Sequence, residues 1–194
     1  PGRYPARRKS STLTSGSLVL SGSYVDFGST GSLQLETAAN KVSGIGYLRR
    51  VAALNAPSGA NPGNLGAVLS AAHNLGSTEI RRAHQSVSAS SAERAYDIRP
   101  TTAGTSNVTL YFTQAEYDAY NALSPNDLPA NGADAAGKAV LRIKRYEGVS
   151  SDGSGAENTY IGTPVVINPD DSDIVWNAAQ SRWELSFTTS AFGG

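Results

Sequence analysis

The chain has two imidazoles, His73 and His84. A serine hydrolase would need one of them to meet a serine and a carboxylate, with the serine on a G-x-S-x-G elbow, and that motif is absent. His73 lies in a Gly/Asn loop and His84 at the end of a strand pattern. Both read as turn or surface polar groups rather than catalytic bases. The H-E-x-x-H spacing of zinc hydrolases is also missing. With no cysteine, thiol catalysis, Cys-ligated zinc and disulfides are excluded.

Carboxylates cluster at Asp170, Asp171 and Asp173. Three such groups in four residues could offer oxygen ligands to Ca²⁺, although no Gly sits at the EF-hand position and no Glu closes the loop. The competing reading is a solvated turn in which an Asp side chain bonds the backbone, and the sequence leaves the choice open. Asp152 and Glu157 flank a Gly/Ser stretch that reads as a hairpin tip, with nothing to support a glycosidase pair. Trp176 and Trp183 invite sugar stacking. However, Trp176 shares a strand face with Ile174, and Trp183 shares one with Leu185 and Phe187, so the alternation assigns both to the core. Asn107-Val-Thr109 fits a glycosylation sequon but falls inside a strand pattern, and no inference rests on it.

Basic residues come in clusters: Arg49-Arg50, Arg81-Arg82, and Arg142 with Lys144 and Arg145. Neighbours on a strand point to opposite faces, so one Arg of each pair points inward or to the sheet edge and needs a carboxylate. Glu79, Glu93, Asp97 and Glu147 are available for cross-strand ion pairs. The alternative is a basic strip for an anionic polysaccharide.

These residues must be positioned by strands. Alternating or short apolar segments occur at 18–20, 24–27, 33–35, 46–54, 65–70, 77–84, 93–99, 107–112, 139–146, 160–167, 173–176 and 182–188, with Gly, Ser, Asn and Pro breaking them. Thr113-Gln-Ala-Glu116 is a capping box opening a helix of about two turns that Pro125 ends. Residues 124–138 form a long polar loop. The spacing predicts an all-β chain: an antiparallel β-sandwich over 46–194 with one short helix, preceded over 13–45 by a small β meander or the end of a β-solenoid. Residues 1–12 read as a basic arm carrying Arg3, Arg7, Arg8 and Lys9. Strand 183–189 is expected to be an unpaired edge beside an abrupt end, in a chain that reads as a processed product or an excised piece.

The composition narrows the function. In 194 residues there are 16 basic and 16 acidic side chains and a pI near 7.3, which argues against a nucleic-acid binder. No run approaches the roughly 18 apolar residues of a membrane span.

Several stretches resemble large surface and secreted proteins of Bacteroidetes exported by the type IX secretion system. They are Leu54–Gly59, Asn64–Leu69, Asn74–Thr78 and Ile80–His84, leading into Tyr96–Thr101, then Leu110–Tyr120, Leu141–Tyr146 and Trp183–Phe187. Ala83 stands where that pattern has Gly. The resemblance implies export, surface placement and contact with the secretion machinery; it brings no catalytic, metal or cofactor residues. Sequence and resemblance together lead to an expected non-enzymatic extracellular module for adhesion, display or assembly, contacting other surface proteins or neighbouring segments of its parent. A carbohydrate-binding module and a self-assembling fibre subunit are the alternatives.

Overall fold

A computed structural model describes residues 8–9, 12–13, 18–34, 36 and 41–194. Arg3, Arg7 and Leu35 lie outside the described residues. In chain order the strands are β1 (Arg8–Lys9), β2 (Thr12–Leu13), β3 (Leu18–Asp26), β4 (Ser32–Leu33), β5 (Val42–Asn55), β6 (Ala67–Ala71), β7 (Asn74–His84), β8 (Arg94–Pro100) and β9 (Ser106–Phe112). Helices α1 (Gln114–Asn121) and α2 (Ala135–Val140) follow, then β10 (Ile143–Arg145), β11 (Val165–Ile167), β12 (Ile174–Asn177) and β13 (Arg182–Thr189).

Two sheets carry the fold. One has the order β1-β3-β5-β7-β8, the other β12-β13-β9-β6. Their inner faces meet in one core, to which Leu48, Ile80 and Ile98 come from the first sheet and Leu69, Val108 and Leu110 from the second. This is an all-β, sandwich-like architecture, as the alternation requires.

The amino-terminal strands pair in parallel: β1 with β3, β3 with β5, and β2 with β4. A meander would pair antiparallel, so the meander expected as one alternative for this segment is not what these strands form. β5 is then shared. One edge pairs in parallel with β3, while the other pairs antiparallel with β7 from Gly46↔His84 to Asn55↔Asn74. Gly44 and Gly46 allow the close approach to β3. A Cβ on either would lie 2.1 Å from a β3 carbonyl oxygen, Leu20 O and Ser23 O respectively.

Four segments differ from expectation. Residues 139–146 do not form one strand, because α2 runs through Ala139 and Val140 and only Ile143–Arg145 is extended. α2 also occupies part of the expected 124–138 loop and joins α1 as a second, six-residue helix. Asp134 caps it, accepting from the Gly137 amide at 2.9 Å, and its Ala-Ala-Gly-Lys run has no apolar period to betray it. The expected strand 160–167 shrinks to Val165–Ile167. Finally, strand 183–189 is not an edge: β13 lies between β12 and β9, hydrogen-bonded on both sides. The assembly reading therefore loses its free strand.

α1 packs the second core cluster. Its capping box is formed, with the Glu116 amide donating to Thr113 Oγ1 and the Thr113 amide to Glu116 Oε2 at 2.6 Å. Tyr117 stacks on Trp183 at 5.5 Å, and Trp176 lies 5.4 Å from the same indole. Trp183 and Leu185 are buried. Trp176 and Phe187, also assigned to the core by the alternation, are half-buried, Phe187 against the first cluster and Trp176, with Ile143, against the second.

Candidate functional site

The clustered basic residues are paired, as their alternation demands. On the outer face of the first sheet, Arg49 reaches Asp26 at 3.0 Å and also Glu79, which Arg81 contacts at 2.6 Å. Arg99 donates to Asp97 at 2.9 Å. Arg50 and Arg142 are the exceptions: among the described residues neither pairs with a carboxylate, Arg50 donating to the Gly28 and Val51 carbonyls and Arg142 to those of Ala139 and Leu141. Arg145 pairs with Glu147, and Lys144 with Glu157. Of the carboxylates expected as partners, Glu93 faces His84 rather than an arginine. Among the described residues most of the clustered cations are thus compensated by carboxylates, which weighs against a basic strip for an anionic polysaccharide.

The inner face holds a buried charge network. Arg82, 0% exposed, reaches both oxygens of Glu36 at 2.6 and 3.0 Å. Arg94 binds Glu116 at 2.7 Å and the Tyr111 carbonyl at 3.0 Å, with Glu36 at 3.4 Å. Tyr96 donates to the same carbonyl at 2.8 Å. Burial alone would raise the Glu36 carboxyl. The charges of Arg94 and Arg82, with hydrogen bonds from Arg82 and the Val42 amide, outweigh it and hold the pKa down to about 2. Burial also opposes the charge on Arg94, but Glu116, Tyr96 and Glu36 together more than restore it. One salt-bridge cluster thus ties the segment after β4, both sheets and α1 together. Glu36 and Glu116 were not foreseen as partners, because only the packed sheets bring them near.

Beside this network a groove of about 810 Å³ opens where the parallel stack meets the sandwich. Its walls are the end of β3, the start of β5, the turn after His84 and the segment between Tyr146 and Gly162. Tyr24 and Tyr47 are in register on β3 and β5, and their rings stack 4.8 Å apart and 2° from parallel. Tyr146 stacks on buried Tyr160 at 5.6 Å. The 146–162 wall lies on β7 and β8 because Gly155, at φ +80°, tolerates contact with the sheet: a Cβ there would sit 2.9 Å from that of Asp97. Glu157 accepts from Lys144 at 2.9 Å and from Tyr146 at 3.2 Å. Burial pushes its carboxyl up, but hydrogen bonds from Ser91, Lys144 and Tyr146 prevail and keep it below the usual range.

His84 lines this groove and is 2% exposed. Its Nδ1 is 3.3 Å from Glu93 Oε1, and its Nε2 has no hydrogen-bond partner. Burial lowers its pKa and outweighs the Glu93 hydrogen bond, so the ring is neutral near pH 7. A carboxylate only accepts, which assigns the proton to Nδ1 and leaves a lone pair on Nε2. A histidine–carboxylate pair is half of a hydrolytic triad, but no serine hydroxyl lies within hydrogen-bond distance of Nε2, where a nucleophile would sit.

The remaining candidates do not converge. His73 packs against Gly104. Asp170, Asp171 and Asp173 are exposed on a single 3₁₀ turn. Among the described residues no group of three or more His, Asp or Glu could hold a metal ion. Asp152 accepts from Ser150 and the Ser154 amide, as a turn residue does. Asn107 is exposed on β9. Trp183 is closed off as a sugar platform by its burial and by its indole N–H, which donates to Gln114 at 2.8 Å.

The structure therefore defines an all-β, two-sheet module built onto a parallel β stack, with an aromatic and polar groove at the junction. No protein-family model, curated protein or solved structure matches the chain.

Proposed function

We propose that this chain is a non-enzymatic extracellular module for adhesion, display or assembly within a larger exported protein. The observation that carries the reading is the shared strand β5, parallel to β3 on one edge and antiparallel to β7 on the other. A stack of parallel strands exposes open N–H and C=O groups at its last coil, and an open edge templates aggregation unless it is covered. A sandwich sheet that continues the ladder directly covers that edge. It also holds the module rigidly, because the same strand belongs to both parts. Such a body suits presentation at the end of a stalk. The paired arginines and the His84 pair without a nucleophile give no support to catalysis.

Export by the type IX secretion system belongs to the same proposal. It is supported by the ordered stretches from Leu54 to Phe187 quoted above. Among the described residues no helix is long and apolar enough to cross a membrane. The experiment is labelling of the native parent polypeptide on intact cells with a membrane-impermeant reagent, in a wild-type strain and in one lacking the secretion machinery. Surface labelling that disappears in the deficient strain is the expected result. A parent polypeptide labelled only after lysis in both strains would overturn it.

A further inference from the structure

We infer that the apolar cleft beside the 139–146 segment binds a fatty acid, with the acyl chain between the sheets and the carboxylate at Arg142. Such a site goes beyond the export and adhesion reading above and is independent of it.

The cleft has a volume of about 560 Å³, within the range of small-molecule sites, about 300–1,000 Å³. It lies at β8, the last strand of the first sheet. Tyr96 and Ile98 of β8, Phe112 of β9 and Phe187 of β13 line it, together with the 139–146 and 191–194 segments.

Its apolar lining is accessible where a closed sandwich would bury it. Phe112 and Phe187 share the inner faces of their strands with Leu110 and Leu185. Both are nevertheless only half-buried, as are Phe192 and Ile143, and Val140 is 42% exposed. Among the described residues β10 pairs with β11 alone, in a separate ribbon, so the 139–146 segment flanks the cleft without sealing it as a strand of either main sheet would.

This surface selects a hydrocarbon chain. Phe112, Ile143, Phe187 and Phe192 carry no hydrogen-bonding group. A peptide or a sugar laid against them would set N–H, C=O or O–H groups on hydrocarbon without partners. A methylene chain brings none, and each CH₂ taken out of water raises affinity about fourfold.

Charge selects the head group. The charged side chains of the lining are Arg94, Arg142, Lys144, Arg145 and Glu157. Glu116 and Glu36 compensate Arg94, Glu157 compensates Lys144, and Glu147 compensates Arg145. Arg142 remains. Its Nη1 donates to the Ala139 and Leu141 carbonyls, while Nε and Nη2 make no hydrogen bond among the described residues. Arg142 is exposed just after α2, so a carboxylate held there keeps its contact with water while the chain enters the cleft.

The test is isothermal titration calorimetry of the full chain with octanoate, decanoate and laurate below their micellar concentrations, and with 1-decanol as the neutral counterpart. Decanoate should bind roughly fifteenfold tighter than octanoate, the effect of two more buried methylenes. Arg142→Gln, at an exposed position, should weaken decanoate by about two- to fivefold, the worth of an exposed ion pair, and leave 1-decanol unchanged. A diazirine-bearing fatty acid, photolysed on the wild-type protein, should label peptides that contain Phe112, Ile143, Phe187 or Phe192, and laurate should compete. Failure of all three acids to bind, affinity that does not rise with chain length, an Arg142→Gln loss equal for decanoate and 1-decanol, or labelling confined to peptides outside the cleft would each overturn the inference. Surface labelling of the parent is a separate measurement and stands or falls without these results.

Discussion

Replacing Glu36 with Gln removes the charge at the centre of the buried network while keeping the side-chain shape. The amide oxygen can still accept from the Val42 amide, which Glu36 Oε1 accepts at 2.9 Å. What is lost is the compensation of Arg82, 0% exposed, whose remaining partner is the Leu65 carbonyl at 3.3 Å. The Glu36 pKa falls from 4.5 to about 2 on folding. At 1.36 kcal/mol per unit, that shift is worth about 3 kcal/mol at neutral pH. Breaking one side of a buried pair costs about 3–5 kcal/mol in general, so the two routes agree. The folded value is depressed, so this stability is fully present above the unfolded value of 4.5 and is lost as pH falls toward the folded value of about 2. Urea unfolding at a series of pH values measures it. Wild type should lose an increment of about 3 kcal/mol across that window, and Glu36→Gln should start lower by about that amount and lose correspondingly less. A variant within about 1 kcal/mol of wild type at pH 7 would refute the reasoning, as would parallel losses in both proteins on acidification.

Trp183→Ala removes the most central side chain of the second cluster and should cost about 3–5 kcal/mol in urea unfolding; a value near zero would mean that the indole is not core. Thr113→Ala deletes the α1 cap and should cost about 1 kcal/mol, since Glu116 keeps its bond to Arg94. Gly155→Ala places a Cβ against Asp97 at φ +80° and should cost on the order of 1–3 kcal/mol. Limited proteolysis should then cut the 146–162 segment faster than in wild type; unchanged cleavage would show that Gly155 does not hold the wall in place.

What the sequence by itself determined is local. Period-two alternation marked β5 to β9 and β12 to β13 because each strand buries one face, and burial fixes which residues face inward. Trp183 and Leu185 followed from the same rule. The α1 start was legible because a capping box is closed within four residues, from Thr113 to Glu116. Clustered basic residues announced their need for carboxylates, and Glu79 and Glu147 answered it, whereas Asp97 pairs with the solitary Arg99. Where the local signal was poor, over the Ala-rich α2 and the half-formed strand before β11, the reading failed.

The tertiary structure decided what depends on which strands are neighbours. Whether 18–55 pairs in parallel or antiparallel turns on long-range contacts, and that pairing alone makes β5 a shared strand. The Tyr24–Tyr47 stack exists only in the β3–β5 register; one residue of slip would turn Tyr24 to the other face. Glu36 is recruited by Arg82 across 46 residues of chain, and Glu116 by Arg94 across 22, distances over which sequence patterns carry no information about charge pairing. His84 looked like a surface polar group at a strand end. It is buried because it shares the inner face of β7 with Ile80 and Arg82, and Glu93 meets it there.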